Sequence, residues 1–373
     1  MKIVILSMTY FPRVGGLQQV TFELARQYAK REIDVHILTG VQNDGSCNDC
    51  LENITVHRFP LIGKKFAYSS FILKSASHII FNIKSLCRLF EIKPDYIHCQ
   101  SPYSSLCTWI YYKLRQKPYS ISFHGEIKTQ VGIMLTPRFS KYWKYLPYIR
   151  DSHNIFVLTE AMKQDLAIGN VSSIVIPNGV DTKFYLPSTH SPFEEAQTVI
   201  CVGRLIKSKA IDDAILAIEQ VISSHPNVKM VIVGDGPERE NLQNLVRTKG
   251  LQDVISFTGR LDSKGVRAYY QSSHIFLQTS LTEAFPLVLL EAMACGLPIV
   301  STDVSDIPNI LSDAKNGRIV KCHDILGIAN AISSILELQK SEYMSLCERS
   351  RDYAKRYSWD EIAERYLQEY GVH

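Results

Sequence analysis

Residues 280–302 read "SLTEAFPLVLLEAMACGLPIVST". Pro286 suits the first turn of a helix, where its missing N–H would have no intrahelical partner in any case. Gly296 and Pro298 end that helix, and the β-branched run 298–302 reads as a buried strand. The segment is therefore a loop, a helix over 286–295 and a strand, the repeating unit of an α/β sheet. Two carboxylates interrupt it, Glu283 and Glu291, eight positions apart. The backbone amides near Phe285, Leu287 and Val288 lie at the helix N-terminus, where free N–H groups and the helix dipole favour an anion. Glu283 lies in the loop above and Glu291 inside the helix. An anion site flanked by two carboxylates that can accept hydrogen bonds from vicinal hydroxyls fits a sugar nucleotide, with Glu283 toward the sugar and Glu291 toward the ribose. The plainer reading is one capping and one solvated glutamate.

The same alternation runs outward in both directions. Strands are expected at 2–8, 34–39, 95–100, 119–124, 154–159 and 173–177, with a helix over 17–31. After 185–197, rich in Pro, Ser and charge, alternation restarts. Strands follow at 198–203, 228–234, 254–259, 274–279 and 298–302, with helices over 210–224 and 237–249. Short β-branched runs separated by helices indicate parallel sheets covered on both faces. The expectation is α/β, with two Rossmann-like, doubly wound domains facing across a cleft. They span 1–187 and 188–357. An amphipathic tail helix over 358–373 carries Trp359, Ile362, Ala363, Tyr366 and Leu367 on one face.

At 373 residues and 46% apolar content, the chain can bury two cores. No apolar run reaches eighteen residues, so no spanning segment is expected, and "MKIVILSMTYFP" reads as a first buried strand rather than a signal. Nine cysteines, mostly in apolar segments, suit reduced thiols and a cytoplasmic setting. The "CNDC" pair, Cys47 and Cys50, has metal-ligand spacing but no second pair follows it. The net charge of +4 divides into +9 over 1–187 and −5 over 188–373. A basic half can face phosphates or an anionic membrane. No nucleic-acid-binding module accompanies it, so nucleic acid is not an expected partner.

Further chemistry sits at other strand ends. In "VGRLIKSKAID" (202–212), Arg204 and Lys209 follow a strand and precede a helix, placed to neutralise a diphosphate leaving group. "GDGPE" (234–238) is a Gly-rich turn that permits close backbone approach. Gly15 and Gly16 separate the first strand from the first helix and form another amide cradle for phosphate. His124 follows a buried strand, a position where a lone histidine is more often structural than catalytic.

In order, the chain shows GG after its first strand, "FHG", "IPNGVD", "VGR…K", "VGDGPE", "FTG" and the E-x7-E of 283–291. This series resembles the retaining family 4 glycosyltransferases of GT-B fold, over nearly the whole chain and most densely over 176–303. The resemblance implies a nucleotide-sugar donor held by the C-terminal domain, with UDP-sugar favoured over GDP-sugar. It implies a glycan or lipid-linked acceptor held by the N-terminal domain, and a tail helix that crosses back to it. By the same resemblance Arg204 and Lys209 bind the diphosphate, Glu283 the sugar and Glu291 the ribose. Phe285, Pro286 and Leu287 give backbone contacts to sugar and phosphate. Gly16 supplies the N-terminal phosphate contact, His124 lies near the reacting centre, and Arg260 and Leu261 flank the nucleobase. The family usually has Lys-Gly where this chain has Lys209-Ala210, and alanine fits there unless the backbone needs a positive φ. No metal or other cofactor is implied.

The expected function is retaining hexosyl transfer in bacterial surface polysaccharide or lipopolysaccharide synthesis. The segments 64–90 and 138–150 interleave cations with apolar groups, which suits docking on the anionic inner face of the plasma membrane. The alternatives are a nucleotide-sugar epimerase of the same fold and a non-catalytic basic membrane-peripheral protein. A dinucleotide oxidoreductase is disfavoured, since no GxGxxG follows the first strand.

Overall fold

The computed structural model describes residues 1–10, 15–41, 53–60, 71–125, 146–188 and 197–371. The chain divides into two compact units, Met1–Asn178 with Trp359–His373, and Gly179–Ser358.

The first unit is built on a seven-stranded, all-parallel sheet. Its strands are β1 (Lys2–Leu6), β2 (Asp34–Val41), β3 (Ile54–Pro60), β4 (Tyr96–Cys99), β5 (Tyr119–Phe123), β6 (Asn154–Val157) and β7 (Ile174–Val175). Their order is β3-β2-β1-β4-β5-β6-β7. β4 and β5 are buried at every position, as a central strand covered on both faces must be. The strand order reverses between β1 and β4, so a crevice opens there beyond the carboxyl ends.

The tail belongs to this unit. Helix Trp359–Glu369 buries Trp359, Ile362, Ala363, Tyr366 and Leu367, the face expected from its spacing. Arg365 donates to the Val175 carbonyl at 2.7 Å, and Asn154 to the Glu369 carbonyl at 2.7 Å. Tyr370, just beyond the helix, stacks on Tyr96 with ring centres 4.1 Å apart.

The second unit holds a six-stranded parallel sheet of β8 (Thr198–Val202), β9 (Lys229–Val233), β10 (Ile255–Gly259), β11 (Ile275–Gln278), β12 (Ile299–Thr302) and β13 (Gly317–Val320). The order β10-β9-β8-β11-β12-β13 reverses between β8 and β11. One core under this sheet joins Val199, Cys201, Met230, Ile232, Ile275 and Leu277 to Ile215, Ile218, Ile328 and Ile332 from its helices.

The unit boundary falls between Asn178 and Gly179, nine residues before the expected 187/188. The physical cause is a set of contacts that fasten 182–186 to the second unit. Arg351 donates to the carbonyls of Thr182 and Tyr185, both at 2.8 Å. Arg267 lies over the Phe184 ring at 4.5 Å, and Gln271 donates to the Leu186 carbonyl at 2.8 Å. The linker-like composition thus begins inside a docked segment. Two strands were not expected, β3 and β13; both are edge strands, and each is only partly buried along most of its length.

Candidate active site

In the second unit the chemistry gathers where the strand order reverses. Arg204 and Lys209 follow β8, and Glu283 follows its neighbour β11. The two loops are tied together: the Thr279 hydroxyl donates to the carbonyls of Lys209 (3.0 Å) and Ala210 (2.8 Å), and the Leu281 amide to Ser208 (2.8 Å). Ala210 has φ +42°, a left-handed conformation that explains why glycine would suit this position.

The Gly-rich turn 234–238 supports the same loop. A Cβ on Gly234 would lie 1.8 Å from the Gly203 carbonyl oxygen, and one on Gly236 2.3 Å from that of Leu205. The Leu205 amide donates to Asp235 at 3.1 Å, and the Glu238 amide back to Leu205 at 3.0 Å. These glycines serve the backbone that presents Arg204.

Glu283 accepts on Oε1 from Lys209 Nζ, from Ser280 Oγ at 2.7 Å and from Gln278 Nε2 at 3.1 Å. Its Oε2 has no partner among the described residues, which leaves it open to a hydroxyl. Lys209 and Glu283, expected in separate roles, thus form one ion pair. The Arg204 side chain is exposed and meets no carboxylate among the described residues.

Helix Leu287–Ala294 begins one residue later than expected, with Pro286 as its N-cap in an extended conformation. No side chain caps it, and the Leu287 and Val288 amides have no acceptor among the described residues, as the first turn of a helix requires. Phe285 is buried with its ring 5.9 Å from that of Tyr357, so it faces a ligand only through backbone. Glu291 is partly buried on this helix. Burial pushes its carboxyl up to about 7, partly opposed by hydrogen bonds from Tyr185 and Tyr270. Tyr270 OH lies 3.4 Å from Glu291 Oε2 and donates to the Val288 carbonyl at 3.1 Å. Arg260 and Leu261 follow β10, at the edge of this sheet. The structure shows no hydrogen bond joining them to the Lys209–Glu283 pair.

In the first unit, Gly15 caps and Gly16 opens helix Gly16–Ala29, both exposed, beyond β1. His124 stands just beyond β5, its Nε2 2.5 Å from Gln100 Oε1. Burial holds its imidazole down at about 4, so it is neutral near pH 7. Sequence reasoning missed Gln278, Ser280, Tyr270 and Gln100, whose partners are distant in sequence or too ordinary in type to stand out. Cys47 and Cys50 lie outside the described residues, as do most of segment 138–150 and the start of 64–90. Among the described residues no His, Cys, Asp and Glu cluster could hold a metal.

Two doubly wound, all-parallel units are the architecture of the GT-B fold. A family model described as "Glycosyltransferase Family 4" matches residues 14–184, and "Glycosyl transferases group 1" matches 186–357. The chain belongs to glycosyltransferase family 4. It is 25% identical over 374 residues to a phosphatidylinositol N-acetylglucosaminyltransferase subunit of Arabidopsis thaliana, spanning 98% of this chain and 80% of that one. Its fold matches sucrose-phosphate synthase from Thermosynechococcus elongatus, with a TM-score of 0.84, 20% identity and coverage of 99% and 98% of the two chains. Anabaena HepE in complex with UDP-glucose superposes with a TM-score of 0.77 at 19% identity, covering 99% and 98%.

Proposed function

We propose that the protein transfers a hexose from a UDP-sugar, with retention at the anomeric carbon, to a lipid-linked or glycan acceptor of surface polysaccharide or lipopolysaccharide. The observation that carries this reading is the exposed Arg204, which meets no carboxylate among the described residues, in the same loop as Lys209 of the Lys209–Glu283 pair, at the reversal of the second sheet. Arg204 and Lys209 bind the donor diphosphate and stabilise the charge that develops as it leaves. The open amides of Leu287 and Val288 add dipolar stabilisation. Glu283 orients the sugar by accepting a hydroxyl on its free Oε2. Glu291 accepts the ribose hydroxyls. Arg260 and Leu261 flank the base. The departing phosphate oxygen takes the proton of the acceptor hydroxyl on the same face, which gives retention without a protein nucleophile. HepE, crystallised with UDP-glucose, supports the donor class. The plant relative, named for phosphatidylinositol, supports a lipid-linked acceptor.

The reaction proceeds without a divalent metal in this reading, so activity persists in EDTA. Loss restored by Mg²⁺ or Mn²⁺ would contradict it. Docking on the cytoplasmic face of an anionic membrane is part of the same proposal. On helix Phe71–Ile92, Ile79 and Ile83 are 60% and 58% exposed beside exposed Lys84, in the half of the chain with charge +9. The test of function is a donor panel read by nucleotide release and thermal shift, with and without acceptor. Stabilisation by UDP-sugars and acceptor-dependent UDP release are expected. UDP release without any acceptor would favour the epimerase, and no response to any nucleotide sugar would reject both enzymes.

A further inference from the structure

His124 Nδ1 is a buried nitrogen with no hydrogen-bond partner among the described residues. Its other nitrogen, Nε2, faces the oxygen of the Gln100 amide at 2.5 Å. An amide oxygen only accepts, so Nε2 carries the hydrogen and Nδ1 holds a bare lone pair.

The other end of the Gln100 amide faces a second buried histidine. Gln100 Nε2 lies 3.4 Å from His98 Nδ1, and an amide nitrogen only donates, so His98 Nδ1 is an acceptor. The Tyr370 hydroxyl reaches the same nitrogen at 2.7 Å and therefore donates to it. His98 then carries its hydrogen on Nε2 and donates it to Ser122 Oγ at 2.7 Å. The Tyr28 hydroxyl, 3.2 Å from that of Tyr370, donates into the start of the chain. With the Gln100 oxygen toward His124, each further link takes the direction that matches it, and the reverse facing would reverse every link together. His98, Gln100, Tyr28 and Tyr370 are all buried, where a low dielectric strengthens these bonds. Burial holds His98 down at about 3 and His124 at about 4, so both rings are neutral near pH 7 and each has one acceptor nitrogen.

A network that served only to anchor the tail would end at its own satisfied groups. This one ends, among the described residues, on an unsatisfied acceptor beyond β5. We propose that Gln100 is a positioning residue that holds His124 in the Nε2–H tautomer, so that Nδ1 accepts a hydrogen bond from a substrate hydroxyl, and that Tyr370 of the tail sets the facing of Gln100. The use of Nδ1 rests on the glycosyl-transfer reading, whereas the tautomer does not.

The test is long-range ¹⁵N–¹H correlation of histidine-labelled full-length protein, with the His124 signals assigned by their loss in His124→Asn. The wild type shows a protonated Nε2 and a bare Nδ1. Gln100→Leu removes the acceptor and gives a mixed or reversed tautomer, with turnover lower by about tenfold or more from the misplaced ring and donor Kd within about twofold. Tyr370→Phe keeps the ring that stacks on Tyr96 and deletes only the hydroxyl, so it shifts the spectrum in the same direction. A wild-type His124 spectrum in folded Gln100→Leu overturns the proposal. Should that variant not fold, an unchanged spectrum in Tyr370→Phe overturns it instead. Failure of the wild type to bind any nucleotide sugar would remove the transferase reading while leaving the spectra to decide the tautomer.

Discussion

In the proposed reading Arg204 serves the donor because it meets no carboxylate among the described residues. Lys209 is paired with Glu283, while Arg204 is exposed. Arg204→Ala is expected to lower turnover by about 10²-fold, as loss of transition-state charge stabilisation does; steady-state kinetics on the folded variant checks this. Glu291 gives a second prediction. Its ordinary value of 4.5 rises to about 7 by burial. Below pH 4.5 native and unfolded chains both hold the proton, and the residue costs nothing. As pH rises from 4.5 to 7 the unfolded chain releases it first, so native stability falls, by at most about 3 kcal/mol in full above pH 7. Glu291→Gln should match wild type near pH 4 and exceed it at pH 8 in urea denaturation. Parallel stability curves would contradict the shift. At this scale the sequence identified the residue types at strand ends but not their pairing. Lys209 and Glu283 are brought together by folding across 74 positions, and Tyr370 and His98 across 272.

At the scale of elements, the interior strands were legible because covering both faces of a parallel sheet demands continuous apolar runs. β3 and β13 were not, because an edge strand tolerates residues such as His57, Arg58 and Arg318. Loop conformation was legible only as an alternative, and Ala210 settles it with φ +42°. A left-handed alanine costs about 1–2 kcal/mol, which glycine would relieve. Added chain entropy and a lost methyl offset that by about 0.5–1 and about 0.8 kcal/mol. Ala210→Gly is therefore expected to be near neutral. Ala214→Gly removes a buried alanine from helix Ile211–Val221 and should cost about 2 kcal/mol. Equal losses in chemical denaturation would contradict a left-handed Ala210.

The whole molecule divides into two units whose sheets each reverse strand order once, between β1 and β4 and between β8 and β11. The alternation made this duplication readable, whereas the boundary was misplaced because composition does not reveal that 182–186 is docked by Arg267, Gln271 and Arg351. The charge excess of the first half predicts that the protein floats with anionic vesicles at low salt and is released at high salt, since each surface cation adds about 1 kcal/mol. Ile79→Asp with Ile83→Asp should weaken flotation without changing turnover on a soluble acceptor. Equal failure to float in every lipid and salt condition would remove membrane docking from the account.

The central claim is that the cations after β8 hold the diphosphate of a nucleotide sugar. Calorimetric titration of the wild-type protein and Arg204→Ala with UDP, in EDTA, tests it most directly. The account predicts metal-independent binding to the wild type and at least about a tenfold weaker Kd in the variant, the worth of one charge-assisted hydrogen bond to phosphate. Equal UDP affinity in the two proteins, or no UDP binding until a divalent metal is added, would contradict it.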